Sequence, residues 1–235
     1  MWDPVLRRLC SEREVIALDL PGFGASPMPP PGTPPGVASL TRLVGEFLDG
    51  LRIEGPDVAG NSLGGLIALE LAKEGRVRSA TALSPAGFYN DREAAYARTS
   101  LQLTARTARL LAPRAERLLA SPLVRTLTFS QIVAKPRMLG AADAAASVQA
   151  LVDAPWFDDT LPAVAKARFN GGERIEVPVT IAWGAKDRLL LPRQARRAAR
   201  LIPRARVVTL VGCGHVPTYD DPEQVAQVLL EGSRA

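Results

Sequence analysis

Hydrophobic residues occur along this chain in short runs that alternate with segments of helical spacing. Five short apolar runs are typical of buried strands, and they cover residues 14–18, 57–59, 80–83, 179–183 and 206–211. Helical repeats cover residues 40–51, 63–74, 192–202 and 222–230. Strands that alternate with helices predict an α/β fold with a doubly wound, mostly parallel sheet.

The pattern changes between residues 88 and 170, where alanine, leucine and arginine recur at helical spacing and prolines interrupt them. We predict a helical cap here, inserted between two core parts at 1–87 and 171–235. Such an insertion lies above the carboxyl ends of the strands, where open α/β sheets bind ligands. Trp156, Phe157 and Phe129 are candidates for the lining of a substrate pocket, although packing inside the cap is the alternative for each.

Residues 60–64 read Gly-Asn-Ser-Leu-Gly, which matches the G-x-S-x-G pattern of a nucleophile elbow. A strand precedes the motif and a helix follows it, as such an elbow requires. A serine hydroxyl needs a base to take its proton, and His215 is the only histidine in the chain. The alternative is a glycine-rich turn in which Ser62 is incidental.

Two more polar side chains follow predicted strands. Asp187 follows the strand at 179–183, and His215 follows the strand at 206–211. The carboxyl ends of parallel strands meet at one edge of the sheet, so Ser62, Asp187 and His215 are predicted to come together there. Asp91 is a rival for the acid, and both Asp187 and His215 could instead be ordinary structural residues.

Composition narrows the choice of partners. The chain is 47% hydrophobic and 23% charged, which suits a globular protein, and its net charge is +5. The arginines between residues 193 and 204 lack interleaved aromatics and fit a solvated helix face, so we predict no nucleic-acid partner.

No apolar run is long enough to span a bilayer, and two cysteines without metal-ligand spacing suit a cytoplasmic protein. Phosphate-loop and dinucleotide fingerprints are absent, so we expect a small-molecule substrate, no cofactor and no metal.

The chain order serine, acid, histidine, together with the elbow, resembles the capped, serine-nucleophile members of the α/β-hydrolase fold family. The stretches at residues 19–26 and 215–223 are similar to that family as well. The resemblance implies that His215 takes the proton of Ser62, and that Asp187 orients and stabilises the imidazole. It also implies that the backbone N–H of Leu63 is one donor of the oxyanion hole.

The nucleophile narrows the chemistry that the resemblance implies. Haloalkane dehalogenases and epoxide hydrolases of this fold use aspartate where Ser62 stands. Serine indicates a carboxylic ester or related acyl substrate. One alternative is a carbon–carbon hydrolase of ring-fission diketones, although the tryptophan that usually follows the histidine in those enzymes is Val216 here. A second alternative is a non-catalytic relative that binds a small ligand.

The resemblance also implies strands before residue 1, one of them followed by a His-Gly loop with the second oxyanion donor. The missing strand would lie between the strands predicted at 14–18 and 57–59. We therefore expect the natural start to lie upstream, and the chain as given to be weakly active and poorly stable. The alternatives are that residues 14–18 shift into the empty position, or that the chain is a damaged relative.

Overall fold

A computed structural model describes residues 1–234 and contains a parallel sheet of four strands. The strands are β1 (Asp57–Asn61), β2 (Ser79–Leu83), β3 (Val179–Gly184) and β4 (Arg206–Leu210). They lie in the sheet in chain order, and every neighbouring pair is parallel. The predicted parallel α/β fold is therefore confirmed, and the carboxyl ends of the four strands meet at one edge of the sheet.

Helices cover both faces of this sheet. One apolar cluster packs α2 (Val37–Gly50), α3 (Leu63–Lys73) and α9 (Ala195–Leu201) on one side. A second cluster packs α1 (Asp3–Cys10) and α10 (Pro222–Gly232) against β2 and β4. β2 and β3 are buried between the helical layers, which explains why they read as continuous apolar runs, whereas β4 at the edge of the sheet is largely exposed.

Between β2 and β3 the chain forms a run of helices, here called the cap segment (residues 88–170). They are α4 (Asp91–Leu111), α5 (Ala115–Leu119), α6 (Pro122–Phe129), α7 (Ala141–Val152) and α8 (Phe157–Lys166). The cap segment has an apolar cluster of its own, which includes Leu119, Phe129 and Val148.

The first helix of the cap segment is fixed to the core through Glu93. The side chains of Asn90 and Glu93 bond each other's backbone N–H at 2.9 Å, which forms a capping box at the start of α4. Glu93 also binds Arg193, just before α9, at 2.6 Å, and Arg197 within α9. The predicted solvated arginine face is therefore wrong for Arg197, whose side chain is only 33% exposed beside this buried carboxylate, whereas Arg193 is 63% exposed and stays on that face.

Residues 14–18 do not form the predicted strand. They have no regular secondary structure and no ladder partner within residues 1–234, and the Ile16 side chain is half exposed. β1 pairs with β2 alone, so in residues 1–234 it is an edge strand, and residues 14–18 do not move beside it. The physical reason is that a strand needs a neighbour with free N–H and C=O groups within reach, and an apolar run alone does not provide one.

Candidate active site

Ser62 lies between β1 and α3 in a backbone conformation that few non-glycine residues adopt, with φ +55° and ψ −114°. Hydrogen bonds from the adjacent strand end hold this turn in place. The Ser62 N–H donates to the Leu83 oxygen at 2.9 Å, and the Ala86 N–H donates to the Ser62 oxygen at 3.0 Å. Such strain persists only where the surroundings determine the conformation, and it is concentrated at functional sites.

Close packing of β1 against α3 requires glycine at two positions. A Cβ on Gly60 would overlap the main-chain carbon and oxygen of Gly64. A Cβ on Gly65 would lie 3.0 Å from the Gly60 oxygen and 3.1 Å from Pro85. A Cβ on Gly64 would meet nothing within 4 Å. The two glycines that permit the close approach are therefore Gly60 and Gly65, and the motif glycine Gly64 has free space around its Cβ position.

Asp187 lies in the turn after β3 and is hydrogen-bonded through both carboxylate oxygens. Oδ1 accepts the N–H groups of Leu189 at 2.9 Å and Leu190 at 2.8 Å. Oδ2 lies 2.8 Å from Nδ1 of His215, and both side chains are buried. The rival Asp91 has a fully exposed side chain that pairs with Arg168. The structure therefore brings the imidazole to Asp187 and not to Asp91.

The loops that carry Asp187 and His215 pack against each other. The Lys186 N–H donates to the Cys213 oxygen at 2.8 Å, and a Cβ on Gly184 would overlap the Gly214 oxygen. Burial raises the pKa of the Cys213 thiol to about 12, and the negative charges of Asp220 and Asp221 add to this. Cys213 is therefore a neutral packing residue of this loop rather than a nucleophile.

Asn61 connects β1 to the loop that carries His215, a contact that no sequence pattern predicts. Its side-chain amide donates to the main-chain oxygens of Leu83 and His215, each at 2.9 Å. Asn61 occupies the variable position before the serine of the G-x-S-x-G motif, so the motif does not predict which residue stands there or what it binds. A buried asparagine at the end of a strand indicates only that partners must exist.

Three further groups bear on the proposed reaction: the His215 imidazole, the Ser62 hydroxyl and the Leu63 N–H. Nδ1 of His215 faces Asp187, so Nε2 is the ring nitrogen left to exchange a proton. No hydrogen bond joins the Ser62 hydroxyl to this imidazole within residues 1–234, and such bonds are often formed only when substrate is bound. Leu63 is the first residue of α3, so its N–H has no intrahelical acceptor and is free to donate to an oxyanion.

The predicted pocket residues occupy different surroundings. Trp156 is buried in the apolar cluster around α2 and α3, and its main-chain N–H donates to the main-chain oxygen of Gly22 at 3.2 Å. Phe129 packs within the apolar cluster of the cap segment, and Phe157 is half-buried at the start of α8. Their contact with substrate stays a prediction.

The described residues contain no helix that is long and apolar enough to cross a membrane. They also contain no group of three histidine, cysteine or acidic side chains that could hold a metal ion.

Comparison with known proteins places this geometry in a family context. The model of the Alpha/beta hydrolase family matches residues 1–228. The chain is 30% identical over 227 residues to the dihydrolipoyllysine-residue acetyltransferase component of the acetoin cleaving system of Cupriavidus necator. That match covers 92% of this chain and 55% of the relative, so the chain spans about half the length of that protein.

Two further proteins are similar over a greater share of their own length. Epoxide hydrolase EphH of Mycobacterium tuberculosis is 30% identical over 201 residues, which are 82% of this chain and 92% of that protein. The crystal structure of the enol-lactonase from Burkholderia xenovorans LB400 superposes with a TM-score of 0.76 at 21% identity. That superposition covers 100% of this chain and 86% of the enol-lactonase, and it shows the shared fold alone.

Proposed function

Because the chain belongs to the alpha/beta hydrolase family, we propose that it is a serine hydrolase of a small carboxylic ester or related acyl substrate. The observation that carries the proposal is the buried His215–Asp187 pair, 2.8 Å apart, at the edge of the sheet where Ser62 stands in a strained turn. Each of the three residues follows a different strand, and each has the chemistry that one role requires.

In this mechanism the Ser62 hydroxyl attacks the carbonyl carbon of the ester while Nε2 of His215 takes its proton. The imidazolium then gives that proton to the leaving alkoxide, and an acyl group remains on Ser62. Water attacks the acyl-enzyme with His215 as base, and the acid departs as Ser62 regains its proton. Asp187 stabilises the imidazolium, and the Leu63 N–H donates to the oxyanion.

The name of the Mycobacterium tuberculosis relative indicates epoxide hydrolysis, and the residue at position 62 argues against that reaction for this chain. Epoxide hydrolases of this fold open the ring with an aspartate. Here the position holds Ser62, whose neutral hydroxyl needs a base and is suited to acyl transfer.

Covalent labelling tests the proposal directly. A fluorophosphonate reacts with an activated serine, so we expect one label per chain, located on Ser62 by peptide mass spectrometry. Ser62→Ala should lose the label, and it should also lose hydrolysis of p-nitrophenyl esters by about 10⁴-fold or more. An unlabelled parent that is folded and inactive on esters would favour the non-catalytic relative. Turnover of a ring-fission diketone without turnover of esters would favour the carbon–carbon hydrolase.

A further inference from the structure

The carboxylate of Asp220 is buried and belongs to neither the Ser62 turn nor the His215–Asp187 pair. It follows His215 by five positions, at the end of the same loop. Its Oδ2 accepts the N–H of Gly214, the residue directly before His215, at 2.7 Å. Residues 211–221, which connect β4 to α10 and carry His215, are here called the histidine loop. The Asp220 carboxylate therefore holds this loop directly beside His215.

The other bonds of Asp220 go to the cap segment, at the turn that follows α6. Oδ2 also accepts the Ala134 N–H at 3.0 Å, and Oδ1 accepts the Lys135 N–H at 2.7 Å. The Lys135 ammonium donates to the main-chain oxygen of Asp220 at 3.0 Å. A single buried side chain thus satisfies backbone donors from two segments that are about 80 residues apart in sequence.

Two more contacts join the same segments, one from each neighbour of His215. The Val216 N–H donates to the Ile132 oxygen at 2.8 Å. A Cβ on Gly214 would lie 2.9 Å from both the Ala134 nitrogen and the Ile132 oxygen, so the two backbones touch. The residues on both sides of His215 are therefore held by residues 132–135 of the cap segment.

We propose that Asp220 is a positioning residue that fixes the His215 imidazole relative to Ser62 by tying its loop to the cap segment. Contact between the imidazole and Ser62 then depends on where residues 132–135 lie, and substrate that shifts the cap segment shifts the base with it. This inference rests on the proposed function for its kinetic consequences. A buried carboxylate with three backbone donors is also costly to remove, so stability must be separated from positioning.

Asp221 provides the matched control. It is the next residue, and its carboxylate caps α10 by accepting the Gln224 N–H at 3.0 Å. Within residues 1–234 no hydrogen bond joins this carboxylate to Gly214 or to residues 132–135. Loss of that cap costs about 1 kcal/mol. Asp221→Ala therefore reports the effect of destabilising this region without releasing Gly214. Asp220→Asn, which keeps the shape and one acceptor oxygen, is the milder variant if Asp220→Ala fails to fold.

The first readout is kinetic. We expect Asp220→Ala to lower kcat and the fluorophosphonate labelling rate by about 10–100-fold, as misplacement of a catalytic group by about 1 Å does. KM should change little, Asp220→Asn should be intermediate, and Asp221→Ala should keep the parent kcat. Equal losses in the Asp220 and Asp221 variants, or a parent-like kcat in Asp220→Ala, would overturn the proposal.

The second readout does not need activity. His215 is the only histidine, so the downfield proton NMR signal of its Nδ1–H, bonded to Asp187, is assigned without ambiguity. Asp220→Ala should shift this signal or broaden it away, and Asp221→Ala should leave it in place. An unchanged signal in folded Asp220→Ala would refute the positioning role. If the fluorophosphonate never labels the parent protein but Asp220→Ala still changes this signal, the positioning role is supported and only the proposed hydrolase function is refuted.

Discussion

The Asn61 side-chain amide donates a hydrogen bond of 2.9 Å to the main-chain oxygen of His215. The residue before Ser62, the proposed nucleophile, therefore contacts His215, the proposed base, across 154 positions of sequence. The same amide nitrogen also binds the end of β2 through the Leu83 oxygen. Asn61 is buried, so these two bonds fix the spacing between β1, β2 and the histidine loop.

Asn61→Ala should weaken catalysis more than binding. The change leaves the His215 oxygen without this donor, which costs about 1–3 kcal/mol of stability when such a group stays buried, whereas the Leu83 oxygen keeps the Ser62 N–H. It also frees the histidine loop, so kcat on a p-nitrophenyl ester should fall by about tenfold or more while KM stays close to the parent value. Steady-state kinetics and a thermal melt measure both effects. Asn170→Ala, at an exposed asparagine, is the control, and a parent-like kcat in Asn61→Ala would contradict the prediction.

The glycines of the elbow give a second pair of variants with opposite expected effects. Gly60→Ala would overlap the Gly64 main chain, so it should lower the melting temperature strongly or prevent folding. Gly64→Ala has free space and lies in the first turn of α3, where alanine is favoured over glycine by up to about 1 kcal/mol. Thermal melts compare the two. Equal destabilisation would show that the packing of β1 against α3 has been described wrongly.

These examples show where sequence reasoning succeeds and where it fails. The parallel sheet and the positions of Ser62, Asp187 and His215 were predictable, because apolar runs and the residues that end them are local signals. The contacts of Asn61 and Asp220 were not, because they join segments that are distant in sequence and leave no periodic pattern. Residues 14–18 have the apolar character of a strand, but a strand forms only beside a partner, and local composition does not reveal whether one is present.

Asp187→Asn should impair catalysis without a large change in substrate binding. In the proposed mechanism the carboxylate stabilises the imidazolium and selects the tautomer with Nδ1–H, whereas an amide can present its NH₂ group to Nδ1 and select the wrong one. We expect a loss in kcat on the order of 10³–10⁴-fold. Asp91→Asn, at the exposed rival, should keep parent activity, and a large loss there would reopen the choice of acid.

The two cysteines should differ in reactivity. Cys10 is exposed, whereas Cys213 is buried with its pKa raised to about 12 by burial and by the nearby Asp220 and Asp221. Only the thiolate reacts with iodoacetamide, so at neutral pH native protein should be alkylated at Cys10 and spared at Cys213. Mass spectrometry before and after denaturation measures this. Rapid native labelling of Cys213 would show that the histidine loop opens.

Glu93 should make stability depend on pH in the acid range. Burial opposes its ionisation, but the Asn90 N–H, Arg193 and Arg197 outweigh that effect and hold the pKa of the Glu93 carboxyl below its usual value. The unfolded chain then binds this proton more readily than the folded one. The stabilisation is therefore complete above the ordinary glutamate pKa, about 4.3, and is lost as pH falls through the lower folded value.

Glu93→Gln should accordingly destabilise the protein at neutral pH by about 1–3 kcal/mol, the range for removal of a partner from buried charged hydrogen bonds. The difference between parent and variant should shrink as pH falls through the lowered pKa of Glu93, because the parent carboxyl also becomes neutral. Urea unfolding at a series of pH values measures it. Glu46→Gln breaks an exposed pair with Arg42 and should cost far less at every pH. A difference between parent and Glu93→Gln that stays constant into acid would show that shape, rather than charge, is what Glu93 contributes between α4 and α9.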